Sequence, residues 1–520
     1  MTTSDESHAA REHVGAIAPR SRWNIRSTGL ARAFAALPLV VAGGCAVGPD
    51  FHLPAFPRVS SYTSTPLPEK TASAPVPGGA AQRFVPGAEL PAQWWTLFRS
   101  EPLNRMIEEA LRASPTLDAA NAALRQAQEL EYAQRGFFYP TVQASFAPSR
   151  QHNAVGTLAP SLSSGQPTYN LYTSQLGVGY TPDVFGLNRR QVESLHASAE
   201  AQRFQLHAAY VTLTTNIASA VIQEAALHAQ IAATESIIEI QRDQQRLLQR
   251  EFNAGAIART DLVAQEALLA QTLATLPPLQ KLLAEQRHLL SALLGRLPAD
   301  EPTERFELAS LALPEDLPLG IPSKLLEQRP DVRAAEEQLH AASAQIGVAT
   351  ANMLPVTTIT AALGGVSTNF AQMFSAGNFF WSAGANVAQT LFAGGTLKHR
   401  KKAAEAAYDQ AAAQYKGTVI TAFQNVADTL RALEFDAEAL RAQVEAERAA
   451  QQNLEFAGKA MSLGATSRLA LLSAQQIYQQ ALLNGAQARA NRYVDTVALF
   501  QALGGGRWIG SDLPRVSDSR

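Results

Sequence analysis

The sequence predicts an α+β membrane protein in which very long helices alternate with short amphipathic strands, the whole arrangement occurring twice. The duplication is the first observation behind that prediction. Ser114-Pro115-Thr116-Leu117 recurs as Arg329-Pro330-Asp331-Val332, and Pro140 before Thr-Val recurs as Pro355 before Val-Thr, each proline displaced by 215 positions. Gly255, Arg259, Leu262 and Gly295 recur as Gly464, Arg468, Leu471 and Gly504, each displaced by 209, while Phe185-Gly186-Leu187 answers Phe392-Ala393-Gly394. A period near 210 far exceeds the roughly 20–50 residues of a solenoid unit, so the chain is a duplicated half-molecule. The other two observations are the length of the helices and the alternation of the strands inside each half.

In chain order, the first half opens with a helix from Pro115 to Tyr139, followed by a strand from Thr141 to Arg150 and another from Leu171 to Val184 around a polar loop, 151–170. In the second strand Tyr172, Leu176, Val178 and Tyr180 share one face with Ser174, and Thr173, Gln175, Gly177, Gly179 and Thr181 take the other. Next come 66 residues, Leu187 to Phe252, without proline and with apolar positions Val192, Leu195, Ala199, Leu206, Tyr210, Leu213, Ile217 and Val221 stepping by three, four or seven. Such spacing marks a coiled-coil-like helix, here a rod of roughly 100 Å at about 1.5 Å per residue. A helix from Ala254 to Leu294 follows, and its 41 residues plus the 25 of the opening helix match the rod in length. Two short helices stacked end to end beside one long one describe a helical cylinder with alternating continuous and broken staves.

The second half repeats this. Its strands run Val356–Val366 and Phe380–Leu391 around Ser367–Asn378, and Trp381, Ala383, Ala385, Val387 and Leu391 alternate with Ser382, Gly384, Asn386, Ala388 and Thr390. Its rod carries Tyr415, Val419, Ala422, Val426, Leu430, Leu433, Ala437, Leu440 and Val444. Alternation over about ten residues with aromatics near the ends is the pattern of transmembrane β-barrel strands. Any half-buried hairpin alternates this way, but four such strands at matched repeat positions between long helices are far more specific. An isolated coiled-coil scaffold would have no use for them.

Four strands cannot close a barrel, because the smallest transmembrane barrels have about eight, and an open sheet edge cannot face lipid. The chain therefore has to oligomerise. A dimer's eight strands leave no wide lumen, so the expectation is a homotrimer: a 12-stranded β-barrel, four strands per chain, continuous with a long α-helical barrel.

The N-terminus indicates export. Arg20, Arg22 and Arg26 precede the apolar stretch 33–44, which ends at Cys45, the only cysteine of 520 residues. A charged segment, a short apolar segment and small residues before a cut describe a secretory signal, expected over 1–44, with the true start codon downstream of Met1 because the leader is long. Val-Ala-Gly-Gly-Cys resembles a bacterial lipoprotein cleavage site, with Ala42 where the commonest form has Leu, and it makes Cys45 a lipidation site. Ala46 in place of Asp implies retention in the outer membrane. The remaining domains are expected as a lipid-anchored extended strap (45–100), a first repeat (101–295), an inter-repeat linker (296–324), a second repeat (325–506) and a tail (507–520).

These residues add up to a resemblance. Gly44-Cys45-Ala46-Val47-Gly48-Pro49-Asp50-Phe51, then Pro91-x-x-Trp94-Trp95-x-x-Phe98, then Leu499-Phe500-Gln501-Ala502-Leu503-Gly504-Gly505-Gly506 with Trp508 resemble the TolC-like outer membrane factors, in particular the NodT-type lipoproteins of resistance-nodulation-division efflux systems. The resemblance implies a trimeric channel-tunnel, with its barrel in the outer membrane and its helices in the periplasm, passing small toxic molecules outward. It also implies two partners, a periplasmic adaptor and an inner-membrane pump. The outer-membrane component of a type I protein exporter is the alternative within the channel class; the lipidation site and triple-glycine ending favour drug efflux.

The adaptor is expected at the turns between antiparallel helices, through Gly255, Arg259, Thr260, Asp261 and Leu262 in the first half and Gly464, Ser467, Arg468 and Leu471 in the second. Glycine supplies the left-handed turn, Thr260 or Ser467 the next cap, and the arginines have no turn role. Where the family closes its tunnel with aspartates, this chain has Gly458, so Leu454 and Phe456 are candidates for an apolar constriction; Glu455 and Lys459 are read as a surface helix pair. No catalytic, cofactor or metal residues stand out among the ten scattered histidines. A net charge of −2 gives no support for nucleic-acid binding.

Overall fold

The computed structural model describes residues 46–54, 61–152 and 168–506. The signal (1–44), Cys45, Trp508 and the rest of the tail lie outside the described residues.

Two repeats with the same order of elements build the folded body. The first comprises α1 (Glu101–Ala113), α2 (Pro115–Arg135), β2 (Thr141–His152), β3 (Thr168–Tyr180), α3 (Leu187–Asn253) and α4 (Arg259–Leu293). The second comprises α5 (Pro322–Gln328), α6 (Pro330–Ala351), β5 (Val356–Ser367), β6 (Phe379–Ala388), α7 (Thr396–Ser462) and α8 (Arg468–Ala502). The rods α3 and α7 are both 67 residues long, and α4 and α8 both 35. Each rod packs along a broken stave: α3 against α2 and α4, α7 against α8. Several expected boundaries move. The opening helix ends at Arg135 and tightens into a 3-10 turn, Gly136–Phe138, instead of reaching Tyr139. The fourth helix starts at Arg259 because Ala254–Ala258 form the turn. The strands β3 and β6 stop at Tyr180 and Ala388, since Thr181–Gly186 and Gln389–Gly395 turn the chain into the rods. Pro277 and Pro278 lie inside α4 without ending it.

The strands form one antiparallel sheet in the order β2-β3-β5-β6. Its register gathers the apolar side chains on one face: Val142 opposes Val178, Leu176 lies between Ala144 and Leu363, Ile359 between Tyr180 and Ala385, and Leu363 meets Trp381. Glycines, threonines, serines and glutamines take the other face. The expected dyad pattern is therefore continuous across four strands, and both edges, β2 and β6, are left without a partner strand among the described residues.

The main core lies where strap, linker and helices meet. Trp94, Trp95 and Phe98 sit in a 3-10 turn and pack with Phe500, Tyr493 and Tyr210, Trp94 and Phe500 at 5.5 Å between ring centroids. The two motifs nearest the ends of the folded body thus meet in space. Gly504, Gly505 and Gly506 all have positive φ (90°, 72° and 99°), and a Cβ on Gly506 would lie 2.4 Å from the Pro91 carbonyl oxygen, so the triple glycine is a turn that lets the chain end close on the tryptophan motif. Strap and linker also pair, β1 (Arg83–Pro86) running parallel to β4 (Asp316–Leu319).

Candidate functional site

Both tips are the same turn. The amides of Ala256 and Ala465 donate to the carbonyls of Glu251 and Ala460, five residues back, and Gly255 and Gly464 have φ of 73° and 70°. This is the Schellman arrangement. A Cβ on either glycine would meet nothing within 4 Å, so glycine is required for its dihedral angle and not for space. The cap differs from expectation in the first half. Thr260 is already inside α4, and the N-cap is Ala258, which has no side chain to offer; in the second half Ser467 does cap, its Oγ accepting from the Ala470 amide at 3.3 Å. Asp261 lies in the first turn of α4, where a carboxylate suits the helix dipole. Leu262 is buried, Leu471 half-buried, and Leu463 and Leu469 project into solvent.

The two arginines are not equivalent. Arg259 is exposed and makes no ion pair among the described residues. Arg468 is half-buried and paired with Glu251 at the end of α3. No turn role is expected of either arginine, and Arg468 has a role of another kind: it ties the second tip to the first. The reason is local: 209 residues after Glu251 stands Ala460, so the repeat supplies no matching carboxylate for Arg259. Glu251 was missed in the sequence, and that broken repeat pair is the signal that would have found it.

Above the tips, α3, α4, α7 and α8 enclose a groove of about 640 Å³ lined by Leu247, Leu454, Gly458, Met461, Leu471 and the Glu251–Arg468 pair, among others. Leu454 faces this groove whereas Phe456 is 65% exposed. Residues two apart point to opposite sides of a helix, so these two cannot form one constriction. Glu455 and Lys459 are both exposed, and no ion pair joins them among the described residues. The walls of the groove continue upward as buried glutamines: Gln265 donates to the Gln241 carbonyl at 3.2 Å and Gln475 to Gln244 Oε1 at 2.6 Å.

Near the other end of α3 the strap is clamped. Arg190 donates to the Val47 carbonyl and to Asp50 at 2.7 Å, and Phe51 stacks on His340 at 4.4 Å. Gly48 lies so close to Gly347 that a Cβ would come within 2.4 Å of its Cα. Residues 46–51 therefore lie where the rods meet the strands, with Ala46 against Gly186.

No helix among the described residues is long and apolar enough to cross a membrane, and none of them form a cluster able to hold a metal ion. What the molecule offers is a four-stranded amphipathic sheet on a helical stem with tips at the far end. The model of the outer membrane efflux proteins matches residues 106–296 and 321–505. The chain belongs to the outer membrane efflux protein family. It is 30% identical to the pyoverdine export outer membrane protein OpmQ of Pseudomonas putida, over 85% of this chain and 94% of the relative. It is 28% identical to nodulation protein T of Rhizobium leguminosarum bv. trifolii, over 90% and 96%, and so is a NodT-type outer membrane factor. Among solved structures it resembles the outer-membrane channel OprN (TM-score 0.79, 28% identity, 89% of this chain and 99% of that one). In fold it also resembles the Campylobacter jejuni channel CmeC (TM-score 0.78, 20% identity, 90% and 97%). The fold class is the expected one: a subunit of a TolC-like trimeric channel, its sheet part of an outer-membrane barrel and its helices extending into the periplasm. It acts in efflux across the outer membrane.

Proposed function

We propose that three copies close a passive conduit for small molecules, which the tips connect to a periplasmic adaptor and, through it, to an inner-membrane pump of the resistance-nodulation-division type. The observation that carries this reading is the pair of bare strand edges, β2 and β6, on a sheet whose apolar face suits lipid. Edge N–H and C=O groups have no partner in hydrocarbon, and twelve strands are the smallest closed multiple of four that leaves a wide lumen. The chain is no enzyme in this reading: it supplies a wall, and the pump chooses the cargo. Relatives named for pyoverdine, toluene and antibiotic transport agree with a conduit that selects little. Residues 1–44 are removed as a signal, Cys45 carries the lipid, and the clamp on residues 46–51 holds that lipid at the level of the barrel. At rest the Glu251–Arg468 pair keeps the two helical hairpins together and the periplasmic end narrow; the exposed Arg259 and Leu469 are left for the adaptor. Dye accumulation in cells lacking the chain tests this directly. Wild type restores efflux, and Arg259→Glu does not although trimer assembles; full efflux with Arg259→Glu would move the adaptor elsewhere.

A further inference from the structure

The two rods begin differently, although the repeat aligns them without a gap. At the start of α3, Asp183 accepts from the amides of Asn188 and Arg189, both at 2.9 Å, and pairs with the Arg189 guanidinium; Arg190 is held by Asp50 and Glu193. Every charge there has a partner. Aligned on the helix N-caps Gly186 and Gly395, two residues off the sequence pairing of Phe185 with Phe392, the place of Asp183 is taken at the start of α7 by Phe392, 88% exposed, beside Leu391, 90% exposed. Lys398-His399-Arg400-Lys401-Lys402 follow within the first two turns, where positive charge opposes the helix dipole. Lys398, Arg400 and Lys402 are exposed and make no ion pair among the described residues; Lys401 alone reaches a carboxylate, Glu405, at 3.8 Å.

The placement explains what such a patch would meet. Seven residues separate the end of β6 at Ala388 from Thr396, the first of α7. The cations thus lie within about 10 Å of the helix start, at about 1.5 Å per residue, a short turn after a strand whose Trp381 and Val387 are exposed. Lys398 and Lys402, one turn apart, share a face, and further along it Glu405 and Asp409 reverse the sign. Bulky apolar side chains, then cations, then acids in order of distance from the barrel is the profile of a membrane boundary.

We propose that Leu391, Phe392, Lys398 and Lys402 form a docking surface for anionic phospholipid in the periplasmic leaflet of the outer membrane; Arg400, two residues from each lysine, points to the other side of the helix. The apolar pair enters the acyl boundary and the cations take the headgroup phosphates. The proposal rests on the outer-membrane channel reading, and bilayer conductance checks that reading separately.

The experiment uses delipidated trimer and native mass spectrometry, counting lipids retained per trimer from phosphatidylglycerol and from phosphatidylcholine. Wild type is expected to favour phosphatidylglycerol. The variant K398Q/K402Q should lose about twenty-five-fold in that preference, at about fivefold per cation, with trimer mass and conductance unchanged. Leu391→Ser with Phe392→Ser should lower retention of both lipids. Equal retention by wild type, or a preference that survives the double lysine variant, overturns the proposal. So does loss of the trimer in that variant, which would mean that the cations face a neighbouring subunit, and so does displacement of phosphatidylglycerol by inorganic phosphate, which would mean a free-anion site.

Discussion

The rods α3 and α7 have the same length and the same apolar rhythm, yet twenty-six residues of α3 are buried and only nine of α7. The difference lies in position. Flanked by α2, α4 and α6, α3 is covered on several sides, whereas eight of the nine buried residues of α7 form a single stripe, Tyr415 to Leu440, against its own chain. Its far side shows Ile420, 58% exposed, and Phe435, 57% exposed; the matching positions in α3 are Val211 and Ala226, both buried. A duplicated sequence has thus produced one stave that is finished within the chain and one that is finished by the next copy. The same holds in the sheet, where β3 and β5 are paired on both sides and β2 and β6 on one.

The largest effects should come from breaking that contrast. Val211→Asp puts an unpaired charge in the core and should abolish folding, whereas Ile420→Asp with Phe435→Asp should leave a folded chain that fails to assemble, because about 1.5–3 kcal/mol of apolar burial per side chain is lost at each of three seams. Circular dichroism with size-exclusion chromatography separates the two outcomes. If both variants unfold alike, α7 is not a seam.

Next in size is the contrast between the tips. Arg468→Glu should raise resting conductance in planar bilayers several-fold, by setting two carboxylates against each other, and Glu251→Arg added to it should restore the low value. Arg259→Glu should leave conductance unchanged and remove efflux. Equal conductance in all three would place the closure elsewhere.

The long rods, the paired strands and the glycine turns could be read in the sequence because each rests on local periodicity or on a dihedral that glycine alone takes easily. The clamp of Arg190 on residues 47–50, the Glu251–Arg468 pair and the glutamine layers could not, since each joins residues far apart in the chain whose types are ordinary on a helix surface. Thr260 was misread for a smaller reason: a hydroxyl near a helix start caps only if it is the last residue outside the helix, and that residue is Ala258.

Smaller effects belong to single groups. Gly255→Ala and Gly464→Ala should each lower local stability by about 1 kcal/mol, since alanine tolerates the positive φ poorly, seen as faster amide exchange confined to that tip. At the α7–α8 contact, burial first and the facing Asp436 carboxyl second push Asp495 up to about 8. A carboxyl that holds its proton more tightly when folded stabilises the protein in acid, and that contribution declines as pH rises from about 4 through about 8. Asp495→Asn should flatten the fall in the heat-dissociation midpoint between pH 5 and pH 9, both taken as approximate bounds of the window. An unaltered slope would show that burial does not hold a proton on Asp495 in the folded protein.

The central claim is that the bare face of α7 and the bare edges of the sheet are covered by further copies of the same chain. Native mass spectrometry of the detergent-extracted protein tests it most directly. The account predicts a complex of three chains for wild type and one chain for the Ile420→Asp, Phe435→Asp variant. A wild-type protein that runs as one or two chains in mild detergent, while remaining folded, would contradict it.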